Sequence, residues 1–412
     1  MILNYIWVGL ILVGVVVAIL QFACTGDYSV FNHISDSLFS NASTGFTLAL
    51  GLTGILALWS GILKVGEKGG SVNAFSTLIS PVMSKLFPEV PKNHPAMGKM
   101  MMNFSANMLG LDNAATPLGL SAMEELQKLN SNKKTASNAE IMFLVFNTSG
   151  LTIVPMSVIA LRLEMGAISP AGVFVPILLA TLCSTVAGVI LTSIIQKISL
   201  LRVQFLIFIA LLFSAVYALL WWMFSLPTSE MEEASKMVGS IIIVGIITLF
   251  LILALLKKIN IFDTFIEGAK DGFRTAVRII PYLVAMLVAI GVFRASGAMA
   301  YIESGMAYFI GSLGLNTDFT PALPTALMKP LSGSGARGLM VETMKNYGAD
   351  SFPGFVASCV QGATDTTLYV IALYFGSVGI RNTRYALSCG LFADAVGVIA
   401  AIIFSYIFFV PA

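Results

Sequence analysis

Apolar runs long enough to cross a bilayer alternate along the chain with short amphipathic stretches, and in four places small and polar residues interrupt the pattern. About 20 apolar residues are needed to span the hydrocarbon layer as a helix. Residues 2–23 form such a run, 30–44 read as an interfacial amphipathic piece, and 45–63 read as a second span ending at Lys64, Glu67 and Lys68. An amphipathic helix at 71–87 is stopped by Pro88 and Pro91. A helical hairpin follows at 95–129, broken near 112–117. The span at 138–163 is interrupted by NTSGLTIVP, 171–196 is clean, and 203–226 carries Trp221 and Trp222 near its end as interfacial anchors. After the acidic linker PTSEMEEASK the order restarts with a span at 237–256. Then come an amphipathic segment at 260–276, a span at 277–293, an amphipathic helix at 299–313, a second broken hairpin at 321–347, a span at 353–375 interrupted at QGATDTT, and a final span at 385–410.

The recurrence extends to individual residues. Val158 to Leu161 repeat as Val370 to Leu373, and the same offset of 212 pairs Gly150 with Gly362 and Thr152 with Thr364. Residues 1–200 therefore read as a first repeat, 201–236 as a linking span and acidic loop, and 237–412 as a second repeat. Lys and Arg placement sets the orientation. With the N-terminus inside, 24–44 is outside and free of Lys and Arg, while Lys64, Lys68, Lys128, Lys133, Lys134, Lys197, Lys257, Lys258, Arg381 and Arg384 fall in the cytoplasm. Five spans precede the second repeat; because five is odd, the halves are inverted. The expected fold is an all-α polytopic membrane protein of two inverted-topology repeats, each with a re-entrant broken hairpin and an interrupted transmembrane helix. Broken helices meeting at the bilayer midplane are a construction of secondary transporters.

Composition agrees with a membrane protein. Hydrophobic residues make up 57% and charged residues 11%, with a mean hydropathy of +0.89. The net charge of +2 gives no nucleic-acid footprint. Four cysteines without CxxC spacing and two histidines predict neither a disulfide framework nor a metal centre, and no resident cofactor is expected. The first span lacks the basic start and small-residue cleavage site of a signal peptide, so it is expected to be retained.

Two stretches carry a resemblance. NFSANMLGLDNAATPLGLSAMEELQ is similar to the signature of the spore maturation protein A family, and IIPYLVAMLVAIGVFRASG with KPLSGSGARG is similar to that of spore maturation protein B. The chain thus resembles a natural fusion of the two over nearly its whole length. Both families resemble the nucleoside recognition (Gate) domain, which also occurs in concentrative nucleoside transporters and in the membrane part of ferrous iron permeases. The resemblance implies a transporter-like fold in a bacterial cytoplasmic (inner) membrane without fixing a solute.

Ionisable groups inside spans are functional candidates by default, since each costs at least about 2.5 kcal/mol to insert. Asp365, among Thr364, Thr366 and Thr367 at the second interruption, offers carboxylate and hydroxyl oxygens of the kind a Na⁺ or proton site needs. Its alternative role is to pair with Arg337. Asp112 and Asn113 could serve likewise from the first hairpin, or Asp112 could cap the helix beginning near Ala114. Arg337 suits a carboxylate or phosphate clamp, or a structural pair with Asp365 or Asp112. Thr116, Asn147, Ser149, Ser332, Ser334 and Gln361 could hydrogen-bond a ligand or hold helices together. Asp394 in the last span reads as a relay or a contact to Arg337.

The favoured function is H⁺- or Na⁺-coupled secondary transport of a small polar or anionic solute, nucleoside-like or other, with the lipid bilayer as surroundings. The alternative is a non-transporting membrane scaffold in spore maturation or envelope assembly. No Ser/His/Asp set, HExxH, paired-aspartate motif or P-loop occurs, so neither an enzyme nor an ATP-driven pump is expected. The amphipathic segments at 71–87 and 299–313 could lie on the membrane surface or join protomers in a homo-oligomer.

Overall fold

The computed structural model describes residues 2–91, 93–109, 112–199, 203–227 and 230–409. Regular structure among them is helical, with one isolated bridge between Thr135 and Asn382. The first half holds α1 (Ile2–Thr25), α2 (Ser29–Gly69), α3 (Ser71–Leu86), α4 (Pro95–Met108), α5 (Asp112–Leu129), α6 (Asn138–Ser149), α7 (Met156–Glu164) and α8 (Phe174–Ile195). After α9 (Val203–Phe224) come α10 (Met231–Leu256), α11 (Ile261–Ala295), α12 (Ala298–Ser312), α13 (Leu323–Met328), α14 (Gly333–Tyr347), α15 (Phe352–Gly362), α16 (Thr367–Ser377) and α17 (Ala386–Phe408). By length and apolarity α1, α2, α8, α10, α11 and α17 can each cross a membrane. The protein is a multi-pass, all-α membrane protein.

Glycines let the two longest helices meet backbone to backbone. A Cβ on Gly272 of α11 would lie 2.3 Å from the Leu56 carbonyl oxygen of α2, and one on Gly45 of α2 would lie 3.0 Å from the Val284 backbone of α11. Small residues are the usual means of such close approach where lipid gives no hydrophobic drive between helices. These contacts run in opposite chain directions, so α2 and α11 are antiparallel. On the flanks, α1 runs parallel to α11, with Trp7 Nε1 donating to the Ala285 carbonyl (2.9 Å) and Gln21 Nε2 to that of Ser296 (3.0 Å). α10 runs parallel to α2, with Gly66 against Phe250 and Gly69 against Ala254. α8 and α17 form a second antiparallel pair, where Ser184 Oγ donates to the Ala393 carbonyl (2.9 Å) and Gly397 packs on Ser184.

Three expectations are corrected. Residues 30–44 are not a separate interfacial piece but the first part of α2, a continuous helix of 41 residues, roughly 60 Å long. Two of their polar residues face protein while Asn32, His33, Ser35, Asp36, Ser40 and Ser43 stay exposed: Asn41 Nδ2 donates to Ser37 Oγ (2.9 Å), Lys345 Nζ of α14 donates to Asn41 Oδ1 (2.9 Å), and Gly291 of α11 packs on both Ser37 and Asn41. Likewise 260–276 and 277–293 are one helix, α11, because Pro281 removes a single donor from a segment held by α1 and α2. The first hairpin opens after Met108, earlier than 112–117, and Pro117 lies inside α5.

Candidate functional site

The four interruptions fall together in space. α6 ends at Gly150, whose φ of 57° is the left-handed conformation that glycine adopts without strain, and α7 restarts at Met156. α15 ends at Gly362 and α16 restarts at Thr367. The two breaks are bonded to each other, Asp365 N–H donating to the Thr148 carbonyl (2.8 Å). A Cβ on Gly150 would lie 3.2 Å from the Asp365 backbone nitrogen, so only a residue without a side chain fits that crossing closely. Each break also bonds to a hairpin: Ile153 N–H donates to the Met108 carbonyl at the tip of the first (2.9 Å), and Leu368 N–H to the Pro330 carbonyl at the tip of the second (3.0 Å). Backbone groups freed at the breaks are thereby paired within the protein, the arrangement that a water-poor environment demands.

A cavity of about 690 Å³ lies against this crossing. It reaches from Asp365, Gln361, Lys329 and Arg337 to Lys64, Glu67 and Asp271. Of the residues anticipated from sequence, Thr116, Asn147, Arg337, Gln361, Thr364 and Asp365 line it. Asp365 is exposed to the cavity and its Oδ1 accepts from Thr366 N–H (2.7 Å). Asn147 Oδ1 accepts from Asn107 Nδ2 (2.8 Å) and from the Tyr374 hydroxyl (3.2 Å), which ties α4, α6 and α16 together at the wall. The Gln361 Oε1 is buried without a partner, as is the indole Nε1 of Trp59.

Other anticipated residues stand away from the cavity wall. Ser149 Oγ is spent on the Phe146 carbonyl (3.2 Å), and Ser332 Oγ caps α14 by accepting from Gly335 N–H (3.0 Å) and pairs with Ser334 Oγ (3.2 Å). Neither these three residues nor Thr366 lines the cavity. The side chains of Asp112 and Asn113 lie outside the described residues. Arg337 and Asp365 share the cavity, yet no ion pair joins them, and Arg337 Nε is buried without a hydrogen-bond partner. The ion pair that was the alternative role for Asp365 is therefore absent among the described residues.

Sequence reading missed Lys329, Trp59 and Tyr374. The PLSGSG run after Lys329 marked a helix break, which was the available signal that the lysine sits at site depth. Arg162 was also missed. It is fully buried, donates to the Ala349 carbonyl (2.9 Å) and pairs with Asp350 (3.1 Å), locking the end of α7 to the start of α15.

These features, long antiparallel helices and broken helices around a polar cavity, accompany a family assignment. A family model described as nucleoside recognition (Gate) matches residues 49–166 and 276–381, one stretch in each half. The chain belongs to the nucleoside recognition family. It is similar to spore maturation protein A of Bacillus subtilis (strain 168), 40% identical over 188 residues that make up 46% of this chain and 92% of that protein. It is also similar to spore maturation protein B of the same organism, 46% identical over 163 residues, 40% of this chain and 88% of that protein. Each relative covers part of the chain, consistent with a fusion of the two. No solved structure matches.

Proposed function

We propose that the protein is a secondary transporter that carries a small polar or anionic solute, nucleoside-like or other, through the cavity between two inverted repeats. The observation that carries this reading is the convergence of both helix breaks on one cavity lined by Lys329, Arg337 and Asp365. Its volume falls in the range of pockets that hold small organic ligands. Arginine and lysine at its base suit a carboxylate, phosphate or hydroxyl-rich solute. The antiparallel course of α2 against α11, and of α8 against α17, supports inversion, because each pair occupies the same place in the order of its half.

In this reading the chain sits in a bacterial cytoplasmic membrane with its N-terminus inside, does no covalent chemistry, needs no resident cofactor, and couples the solute to Na⁺ or H⁺. The cavity reaches α2 and α11 at their Lys-bearing ends, the cytoplasmic side by the positive-inside rule, so this is an inward-open state. The names of the two relatives favour a second reading, an accessory role in spore maturation without transport.

Accessibility tests the reading. Ser157 is exposed on the cavity wall, so Ser157→Cys, with Cys24 and Cys183 replaced by serine, should react with a membrane-impermeant thiol reagent in inside-out vesicles. In right-side-out vesicles the rate should fall at least about tenfold. Equal labelling from both sides, or none from either, would remove the hydrated inward-open cavity.

A further inference from the structure

Behind the second break, on the side away from the cavity, lies a buried group of oxygens centred on Asp394. Asp394 sits mid-way along α17 and is only 2% exposed. Gly390 and Gly397, one turn to either side on the same face, pack against Thr367 and Thr364 respectively. The Asp394 carboxylate is thereby aimed at the break. The hydroxyls of Thr367 and Thr364 act on it as hydrogen-bonding groups, though none of these four oxygens reaches another in close, well-aligned hydrogen-bond geometry. The charges that bear on Asp394 among the described residues are Lys329, which attracts it, and Asp365, which repels it.

A buried carboxylate with two hydroxyls around it is a costly arrangement in a membrane unless a cation completes it. We propose that Asp394, Thr364 and Thr367 form a Na⁺ site. All the oxygens are hard ligands, the kind that alkali and alkaline-earth cations select over nitrogen or sulfur. The site rests on the transport reading and deepens it by supplying the coupling ion. Thr364 stands in the wall shared with the cavity, and the next residue, Asp365, faces the solute side. Filling the site removes negative charge behind the break and fixes the position of Thr364. Solute and ion thus act on one element, the unwound turn between α15 and α16. The anticipated ion residue, Asp365, is on this account a solute-facing group, and the ion lies one layer deeper.

The test is thermal unfolding of the purified full-length protein in detergent, with NaCl, KCl or choline chloride at one ionic strength. Saturating Na⁺ should raise Tm by about 3 °C or more over choline, and K⁺ should do markedly less. Asp394→Asn should keep a cooperative transition in choline and lose the Na⁺ increment. Thr367→Ala, the gentler variant should Asp394→Asn not fold, should raise the half-saturating Na⁺ concentration at least about tenfold. Absence of a Na⁺ increment in the parent protein overturns the site, as does an increment that survives both substitutions or is lost in Asp365→Asn instead. Stabilisation by acid alone, with no effect of Na⁺, also overturns it. Because no solute is added, a Na⁺ increment that depends on Asp394 stands even if every uptake assay fails, which would sink the transport reading and leave the site.

Discussion

Asp365→Asn is expected to reduce solute uptake into proteoliposomes by about a hundredfold while leaving the protein folded. The substitution keeps the shape of the side chain and its acceptor for Thr366 N–H, and it removes one negative charge from the cavity wall. A charge-assisted hydrogen bond to a ligand contributes about 1.5–3 kcal/mol, and the upper part of that range corresponds to a hundredfold in affinity. Folding should survive because no ion pair is broken: Asp365 has none with Arg337, and its backbone bond to Thr148 is independent of the side chain. Had the two charges been paired, Asp365→Asn would strand Arg337 in a poorly solvated place and the loss would appear first as instability. The comparison of uptake with melting temperature separates the cases. Wild-type uptake by the variant would remove Asp365 from the mechanism.

Arg162→Ala is expected to cost about 3 kcal/mol of stability, enough to deplete folded protein from membranes. The guanidinium is fully buried, spans the Ala349 carbonyl, Ser358 and Asp350, and stacks over the Phe355 ring at 5.6 Å. Removing it leaves a cavity, unpaired oxygens and a carboxylate without its counter-charge. By contrast the Arg274–Asp271 pair, at 3.1 Å with its arginine side chain 76% exposed, should contribute under about 1 kcal/mol. Thermal unfolding of Arg162→Ala beside Arg274→Ala checks the contrast. Equal small losses would contradict the assignment of Arg162 as the clamp between α7 and α15.

Much of this architecture was legible because helix breaks in a membrane protein have few causes. NTSGLTIVP and QGATDTT placed the interruptions of 138–163 and 353–375 where α6 and α15 end, since glycine, proline and clustered hydroxyls are what release a helix at membrane depth. Helix length was less legible. Ser37 and Asn41 suit a membrane surface and a protein interface equally, and only the facing Gly291 and Lys345, some 250 or more positions away, decide for the interface. Partner choice was least legible. Asp365 and Arg337 were the obvious pair by charge, yet the chain path puts Asp394 and Lys329 into the same neighbourhood. Arg162 read as the end of a span because its partner, Asp350, lies in a loop nearly half the chain away.

If the two breaks build a binding site, ligand-dependent unfolding of the purified protein should reveal it most directly. Nucleosides, nucleobases and small organic anions are screened in Na⁺ buffer, with Asp365→Asn and Arg337→Gln alongside. At 100 times its dissociation constant a ligand adds about 2.7 kcal/mol to the native state. At least one class should raise Tm, and the rise should be lost in one or both variants. A folded protein that responds to no member of the panel, or a response untouched by either substitution, would contradict such a site.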